Sequence, residues 1–292
     1  MEERRLTDAL VMQYRAYLIA EEKAQATIEK YLRDVRAFVA FLPETRVVEK
    51  EGLVRYKQQL AARYKAASVN SMLVALNQLW MFLGWNECRV RLLKVQRSCF
   101  RPQERELARE EYIRLVQAAH AKQNDRLGLL IQAICSTGIR VSEHRFITVE
   151  SLRSGRVMIL NKGKARTIFL PAALRRVLVQ YCRQQGIVSG PVFVTRNGRA
   201  MDRCNIWAEM KALCAWAGVE AQKVFPHNLR HLFAVTYYRM EKDVVRLADV
   251  LGHTSVDTTR IYTADSGADC MRALSRLGLI LPDLCGKKKI TT

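Results

Sequence analysis

Four short stretches of the chain carry side chains that could act together on one phosphate group. In order, TGIRVSE, NKGK, PHNLRH and LGHTSVDTTRIYT supply the candidate catalytic residues Arg140, Lys162, His227, Arg230, His253 and Tyr262. A tyrosine hydroxyl can attack a phosphodiester and hold the phosphate covalently, which conserves the bond energy for rejoining. Arginine guanidinium groups match the non-bridging phosphate oxygens and stay charged at any working pH. The set predicts phosphodiester cleavage by Tyr262, with arginines in place of a metal clamp.

The other polar groups have expected roles in moving protons or orienting charge. Free tyrosine has a pKa of about 10, so Tyr262 needs a proton acceptor and a positive field. His253, nine residues earlier, is the candidate proton-handling group. A lysine in the NKGK turn can protonate the leaving 5′-hydroxyl; Lys162 is the preferred residue and Lys164 the alternative. Glu143 is expected to orient the guanidinium of the arginine one turn before it.

The stretch PHNLRH has the features of a helix start. Pro226 suits the first helical position, because its missing N–H would have no partner there. His227 and Arg230 then lie three residues apart and are expected to share a face. Gly252 suits the residue just past the end of a later helix.

The last stretch predicts a loop followed by a new helix. Thr254 and Asp257 have capping-box spacing, so a helix is expected to begin after Thr254. His253 would then lie in the loop, free to point into a cleft, and Tyr262 about two turns into the helix. Tyr262 is also one of ten tyrosines, so a packing role on a surface helix is the alternative for it.

The first hundred residues read as successive amphipathic helices. The segments LTDALVMQYRAYLIAEE, TIEKYLRDVRAFVAFL, EGLVRYKQQLAARY and SVNSMLVALNQLWMFLGW predict a four-helix bundle. Ser68 is a candidate N-cap of the fourth helix and Gly84 its candidate stop. A basic, proline-interrupted segment follows, which is typical of a linker: either a solvated connector or a strap that crosses a phosphate backbone. The predicted DNA-binding residues are Arg89, Arg91, Lys94, Arg97, Arg101 and, in the hairpin, Lys164.

The rest of the chain predicts helices around one β-hairpin. In GRVMILNKGKARTIFLP, two runs rich in Val, Ile, Leu and Phe flank a tight polar turn, which is typical of a hairpin. We therefore expect an N-terminal helical DNA-binding domain over 1–98, a basic linker over 99–106 and a catalytic domain over 107–292.

The composition favours a nucleic-acid partner. The 292 residues include 48 Lys plus Arg against 28 Asp plus Glu, a formal net charge of +20, which is typical of proteins that bind a polyanion. No run approaches the ~18 apolar residues of a membrane span. The opening MEERRLTDAL lacks an apolar signal core, so a cytoplasmic protein is expected. Eight cysteines without a CxxC pair argue against a zinc site, and no cofactor is expected.

In order and spacing, the four stretches resemble the signature boxes of the tyrosine recombinases, the integrase family that includes Xer, Cre and phage integrases. The resemblance spans roughly Leu107 to Thr263. It implies a mainly α protein with a four-helix core-binding (SAM-like) domain and an α+β catalytic domain with a small hairpin. By this resemblance the two arginines, Lys162 and both histidines surround the scissile phosphate, and Tyr262 forms a 3′-phosphotyrosyl link.

The resemblance also implies partners and a setting. Members cut and rejoin double-stranded recombination sites as tetramers, through a Holliday junction, without metal or ATP. The C-terminal tail is expected to dock on a neighbouring subunit, accessory DNA-binding proteins are possible partners, and the protein is expected at the nucleoid. The job would be integration, excision or resolution of a mobile element or replicon. A type IB topoisomerase, or a catalytically silent DNA-binding regulator of the same fold, are the alternatives.

Overall fold

The described part of the chain is mainly helical and falls into two units. The computed structural model describes residues 4–95, 106–161, 164–253, 255–262, 271 and 275–277. The units comprise Met1–Arg97 and Ser98–Thr292, and each buries its own hydrophobic core. Within these described ranges, no helix is long and apolar enough to cross a bilayer.

Unit 1 forms the predicted helices in residues 4–95. They are α1 (Asp8–Ala20), α2 (Gln25–Val39), α3 (Lys50–Arg63) and α4 (Ala66–Phe82). The periodic apolar face of α2 is buried, as its spacing predicted, with Val35 and Phe38 fully enclosed. Gly84 follows α4 with a φ of +72°, the left-handed conformation expected of a helix stop.

The predicted N-cap of α4 is wrong. The helix begins at Ala66 after Lys65, whose carbonyl accepts hydrogen bonds from the backbone N–H groups of Ser68 (2.8 Å) and Val69 (3.1 Å). The backbone of Ser68 is therefore already inside the first turn. Ala66 and Ala67 explain the earlier start, because alanine has the highest helix propensity of the natural residues.

Residues 89–94 lie outside any helix or strand and are called the strap below; side chains of α4 hold the strap through hydrogen bonds to its main chain. Asn77 donates to the carbonyl of Val90 (2.9 Å) and accepts from its N–H (3.0 Å). Asn70 does the same with Leu93, at 2.9 and 2.7 Å. Lys57 adds a hydrogen bond of 2.7 Å to the carbonyl of Arg91. The side-chain amides of Asn70 and Asn77 thus pair with the N–H and C=O groups of the strap as the backbone of a neighbouring β-strand would.

The strap exposes the side chains of Arg89, Arg91 and Lys94. These are three of the residues that the sequence assigned to DNA binding. Arg97 and Arg101 lie outside the described residues.

Unit 2 surrounds one antiparallel hairpin with helices. The hairpin strands are β1 (Arg156–Asn161) and β2 (Lys164–Phe169), which confirms the hairpin predicted from sequence. The helices are α5 (Arg109–Ala121), α6 (Asp125–Thr137), α7 (Val149–Ser154), α8 (Ala172–Gln184), α9 (Arg203–Ala217), α10 (Pro226–Glu241), α11 (Val244–Leu251) and α12 (Val256–Thr259). Helix α6 packs against α5, α8 and α10 and carries much of the core.

The hairpin turns one apolar face toward the core of unit 2. Val157, Ile159 and Ile168 are buried on that face, as the two-residue period of strands requires. Arg166 is paired with Ile159 in the register and so points to the same side. Lys162 lies outside the described residues, and of Lys164 only the backbone is described, as the first residue of β2. The structure therefore leaves the choice between the two lysines open.

We predict that replacing Asn77 with Ala loosens the strap and lowers the free energy of unfolding of unit 1. The change leaves the buried N–H and C=O of Val90 without their partners, at a cost of about 1–2 kcal/mol. Urea unfolding monitored by tryptophan fluorescence measures it. Gln59→Ala, an exposed position on α3, is the control and should change stability by less than about 0.5 kcal/mol. Equal effects of the two variants would contradict this account of the strap.

Candidate active site

Three guanidinium groups converge on the C-terminal end of α11. Arg230 donates to the carbonyl of Leu251 (2.7 Å) and Arg140 to that of Gly252 (3.2 Å). Arg166 donates to the carbonyls of Val250 (3.3 Å) and Leu251. The last carbonyls of a helix have no partner within it and form the negative end of its dipole. They are therefore well suited to hold several cations at one place.

A buried carboxylate links two of these arginines. Glu143 is only 2% exposed. One of its oxygens, Oε1, lies 3.0 Å from Nη1 of Arg140, and the other accepts the backbone N–H of Arg140 (2.9 Å) and an ion pair from Arg166. The geometry matches the orienting role expected of Glu143, although that role in catalysis stays a prediction.

Two of the arginines reach this point from positions where a helix begins or has just ended. Helix α6 ends at Thr137, and the next residue, Gly138, has a φ of +65° and a carbonyl that accepts a 2.6 Å hydrogen bond from Arg230. Arg140 follows two residues later, just before a 3-10 helix over Val141–Phe146. Arg230 lies in the first turns of α10, which begins at Pro226 as predicted.

The site formed by Arg140, Arg166, Arg230 and Glu143 at the end of α11, called the pocket below, carries an excess of positive charge. Burial, and then the charges of Arg140 and Arg166, lower the pKa of Arg230 to about 10. Burial also lowers the pKa of Arg166. Arginine side chains are effectively always protonated in proteins, so the three guanidinium groups repel one another. Among the described residues, Glu143 is the carboxylate in contact with them, so an anion entering the pocket would relieve their mutual repulsion.

His253 is held as a neutral imidazole with a defined tautomer. Its Nε2 lies 3.1 Å from Nη2 of Arg230, which can only donate, so Nε2 accepts. The proton must then be on Nδ1, which lies 2.8 Å from Oγ1 of the fully buried Thr259. Burial and then the charges of Arg230, Arg140 and Arg166 lower the pKa of His253 to about 4. Neutral His253 is able to accept a proton rather than to donate one.

Tyr262 lies beside this imidazole but is 3% exposed. Its ring is nearly parallel to that of His253, with centroids 6.0 Å apart and an interplanar angle of 19°. The ring of His231 packs edge-on against it at 5.1 Å. In this arrangement the phenol is stored inside unit 2, next to the group expected to take its proton.

The helical segment before Tyr262 begins one residue later than predicted. Helix α12 starts at Val256, and its N-cap is Ser255, whose hydroxyl accepts from the N–H of Asp257 (3.2 Å). The prediction of Thr254 as the cap is therefore wrong; Thr254 itself lies outside the described residues. A 3-10 turn over Arg260–Tyr262 continues α12, so Tyr262 lies about two turns along, as expected.

The predicted histidine of α10 lies at the rim of the pocket. His227 is exposed in the first turn, whereas Arg230, one turn later, is 3% exposed. The charge of His227 contributes to lowering the pKa of His253, which places it within electrostatic reach of the site. Four candidate residues, Arg140, Arg230, His253 and Tyr262, are thus brought together, with His227 nearby and Lys162 outside the described residues.

Sequence reasoning missed three residues that contact the predicted ones: Arg166, Thr259 and His231, whose ring packs against that of Tyr262. Arg166 occupies an inward position of β2, and a lone arginine on an otherwise apolar strand face was a usable signal. Thr259 contacts His253 across a loop and carried no comparable signal. Among the described residues, no group of three or more His, Cys, Asp or Glu side chains is arranged to hold a metal ion.

Comparison with known proteins bears directly on this pocket. Residues 105–268, more than half of the chain, match the phage integrase family, and residues 11–87 match the phage integrase N-terminal SAM-like domain. The chain belongs to the phage integrase family, the tyrosine recombinases. Family membership confirms the resemblance that the four signature stretches indicated, including the fold class of a helical SAM-like domain before a mainly helical domain with a small sheet.

Relatives of the family match over most of their length. Tyrosine recombinase XerA of Pyrococcus furiosus is 28% identical over 290 residues, which cover 96% of this chain and 98% of the relative. Tyrosine recombinase XerD of Vibrio cholerae serotype O1 is 26% identical, with 82% and 86% covered.

Two solved structures of the family show the same fold. XerH bound to palindromic difH substrate, in a post-cleavage complex, has a TM-score of 0.70 and 22% identity, covering 88% of this chain and 81% of that one. A lambda integrase (75–356) dimer bound to a COC′ core site has a TM-score of 0.72 and 17% identity, with 89% and 96% covered. At these identities the comparison concerns the fold alone.

We predict that His253 titrates near pH 4 and that its burial makes the fold less stable in acid. Its pKa is about 6.5 in the unfolded chain and about 4 when folded, so the unfolded state binds the proton first. Stability relative to His253→Gln should be constant above pH 6.5. It should fall between pH 6.5 and 4, by up to about 1.4 kcal/mol per pH unit.

Chemical denaturation of both proteins across this pH range makes the measurement. The buried His144, whose pKa is also lowered by burial, is present in both and cancels in the difference. A difference that is flat down to pH 4 would show that His253 is not held as described.

Proposed function

We propose that this chain is a site-specific DNA recombinase that cuts and rejoins duplex DNA through a 3′-phosphotyrosyl link on Tyr262. The observation that carries the proposal is the convergence of Arg140, Arg230 and Arg166 beside neutral His253 and the phenol of Tyr262. An electropositive pocket with a nucleophile and a proton acceptor has the groups that attack on a phosphodiester requires.

The reaction has two proton movements and one exchange of bonds at phosphorus. The scissile phosphate docks against Arg140 and Arg230, and its oxygens compete for the Arg230 N–H that now engages Nε2 of His253. Nε2 is then able to take the proton of Tyr262 as its oxygen bonds to phosphorus. The bond to the 5′-oxygen breaks, and that oxygen takes a proton from the hairpin lysine, Lys162 or its alternative Lys164. Rejoining reverses each step.

Tyr262 must move before it attacks. With 3% of its surface exposed, its ring is covered by His231 and His253, and a duplex cannot reach it in place. We therefore infer that DNA binding is accompanied by outward displacement of the Arg260–Tyr262 turn. This step would keep the nucleophile inactive until a phosphate occupies the pocket.

The assembly proposed for the reaction is a tetramer on two recombination sites. Related structures support it: lambda integrase is known as a dimer on a core site and as a tetramer on a Holliday junction. Exchange of the C-terminal tail between subunits remains a proposal, because almost all of that tail lies outside the described residues. We propose that the enzyme acts at the nucleoid in the cytoplasm. Its proposed task is integration, excision or resolution of a mobile element or replicon, and its proposed helpers are accessory DNA-binding proteins.

We predict that Tyr262→Phe abolishes the covalent protein–DNA adduct while DNA binding persists. The probe is a pool of short nicked duplexes with a randomised centre, incubated with EDTA; nicked strands trap the adduct because the cut end diffuses away. Wild type should retain covalently a subset of sequences, which sequencing identifies. Tyr238→Phe, a neighbouring tyrosine packed in the same cluster, is the control and should form the adduct as wild type does.

Two outcomes would contradict the proposed function. One is an adduct that survives in Tyr262→Phe; the other is a strict requirement for a divalent ion. Relaxation of a plasmid that lacks the enriched sequence would instead indicate a type IB topoisomerase.

We predict that the strap contributes phosphate contacts that do not depend on DNA sequence. Arg89→Gln and Arg91→Gln should each weaken binding equally on enriched and on unrelated duplexes. Each should also reduce the slope of log affinity against log salt concentration by roughly one. Fluorescence anisotropy at several salt concentrations gives both values. A loss confined to the enriched sequence would mean that these side chains contact bases instead.

A further inference from the structure

Arg166 extends from β2 into the pocket. There it contacts both Glu143 and the carbonyl end of α11. Its guanidinium forms an ion pair with Glu143 and hydrogen bonds with the carbonyls of Val250 and Leu251. The side chain is 14% exposed. Glu143 in turn holds Arg140, and Leu251 also accepts from Arg230. One side chain therefore touches the groups that orient both candidate phosphate-binding arginines.

The space for Arg166 depends on a residue without a side chain. Gly252 has a φ of +62°, and a Cβ built there would lie 2.5 Å from Cδ and 2.8 Å from Nη1 of Arg166. An aliphatic stem packed so tightly against the main chain has little freedom to move. The glycine that ends α11 thus also fixes the path of the arginine.

Placing the charge of Arg166 here costs desolvation free energy, which points to a role for the charge. Its guanidinium is largely buried, burial and the charge of Arg140 lower its pKa against the opposing effect of Glu143, and an apolar side chain would suit the inward face of β2. A lysine could not replace it, because an ammonium group cannot contact Glu143 and two carbonyls with the same fixed fork.

We propose that Arg166 is a positioning residue for strand cleavage, which fixes Glu143 and the end of α11 so that Arg140 and Arg230 hold the scissile phosphate in line with Tyr262. The proposal rests on the proposed function. Arg166 makes its described contacts to protein groups, so its effect reaches the phosphate through Arg140 and Arg230. It also ties the strand that follows the lysine-bearing turn to the pocket.

The test compares cleavage of two substrates by Arg166→Gln. Both are nicked duplexes of the sequence enriched by wild type; one has the normal phosphodiester and the other a methylphosphonate at the cut position. The methyl group removes one charged non-bridging oxygen, so misplaced arginines matter less. Cleavage of the phosphodiester should slow by about a hundredfold, the effect of a displacement near 1 Å. The deficit should shrink by about tenfold or more on the methylphosphonate.

Gly252→Ala offers a second route to the same displacement with the guanidinium retained. Gly186→Ala is the matched control, because its φ is +67° and nothing lies within 4 Å of its built Cβ. Both changes strain the backbone alike, but only Gly252→Ala should slow cleavage. In the Arg166→Gln background, Gly252→Ala should add little, since the two changes act through one contact.

Each result decides the matter. Wild type that forms no adduct on any duplex would refute the proposed function itself. Active wild type with an equal deficit of Arg166→Gln on both substrates, or with none, would overturn the positioning role alone. If Arg166→Gln does not fold, Arg166→Lys and the charge-balanced double variant Glu143→Gln, Arg166→Gln take its place. They should fold and still show the larger deficit on the phosphodiester; equal deficits would again refute the inference.

Discussion

The pocket of unit 2 depends on the contact between three guanidinium groups and the carbonyl end of α11. Like charges at such short range repel, and burial adds a desolvation cost for each. The helix end supplies partly negative carbonyls that need partners in any case, and Glu143 supplies a full negative charge. The helix end and Glu143 thus offset part of the repulsion, and the pocket keeps an excess of positive charge. The breaks at Gly138 and Gly252 follow from this need, because each lets a chain turn where a carbonyl must face an arginine.

The same positive field determines the state of the groups around it. His253 stays neutral because burial, and then the charges of the three arginines, disfavour its protonated form, and the Arg230 N–H selects which imidazole nitrogen carries the proton. Thr259 completes the arrangement from the helix that leads to Tyr262. The hydrogen-bond partner of His253 and the nucleophile therefore lie on one short helical segment, residues 256–262, so a movement of that segment changes the surroundings of the imidazole and of the phenol together. Phosphate affinity, proton transfer and exposure of the phenol are parts of one electrostatic arrangement.

Much of this was accessible from the sequence, for physical reasons that differ by residue. Periodicity located α2 and the hairpin because burial follows the helical and strand periods directly. Pro226 and Gly252 marked helix ends because few residues suit those backbone positions. Ser68 misled, since two alanines ahead of it favoured an earlier start than its hydroxyl did. Arg166 and Thr259 were missed because their partners lie far along the chain or across a loop, and only tertiary packing brings those atoms together.

The way α4 holds the strap has a consequence for how this surface can change. Asn70 and Asn77 form hydrogen bonds with peptide groups of the strap and not with its side chains. These contacts therefore do not depend on which side chains the strap carries. Residues of α4 thus determine the backbone path of the strap, and the strap's own residues determine which side chains are exposed. Substitutions at Arg89 or Arg91 can accumulate, or be introduced by engineers, without redirecting the backbone. The backbone path of the strap and its exposed charges are therefore set by different residues. The charges can change while the packing of the helical bundle stays the same.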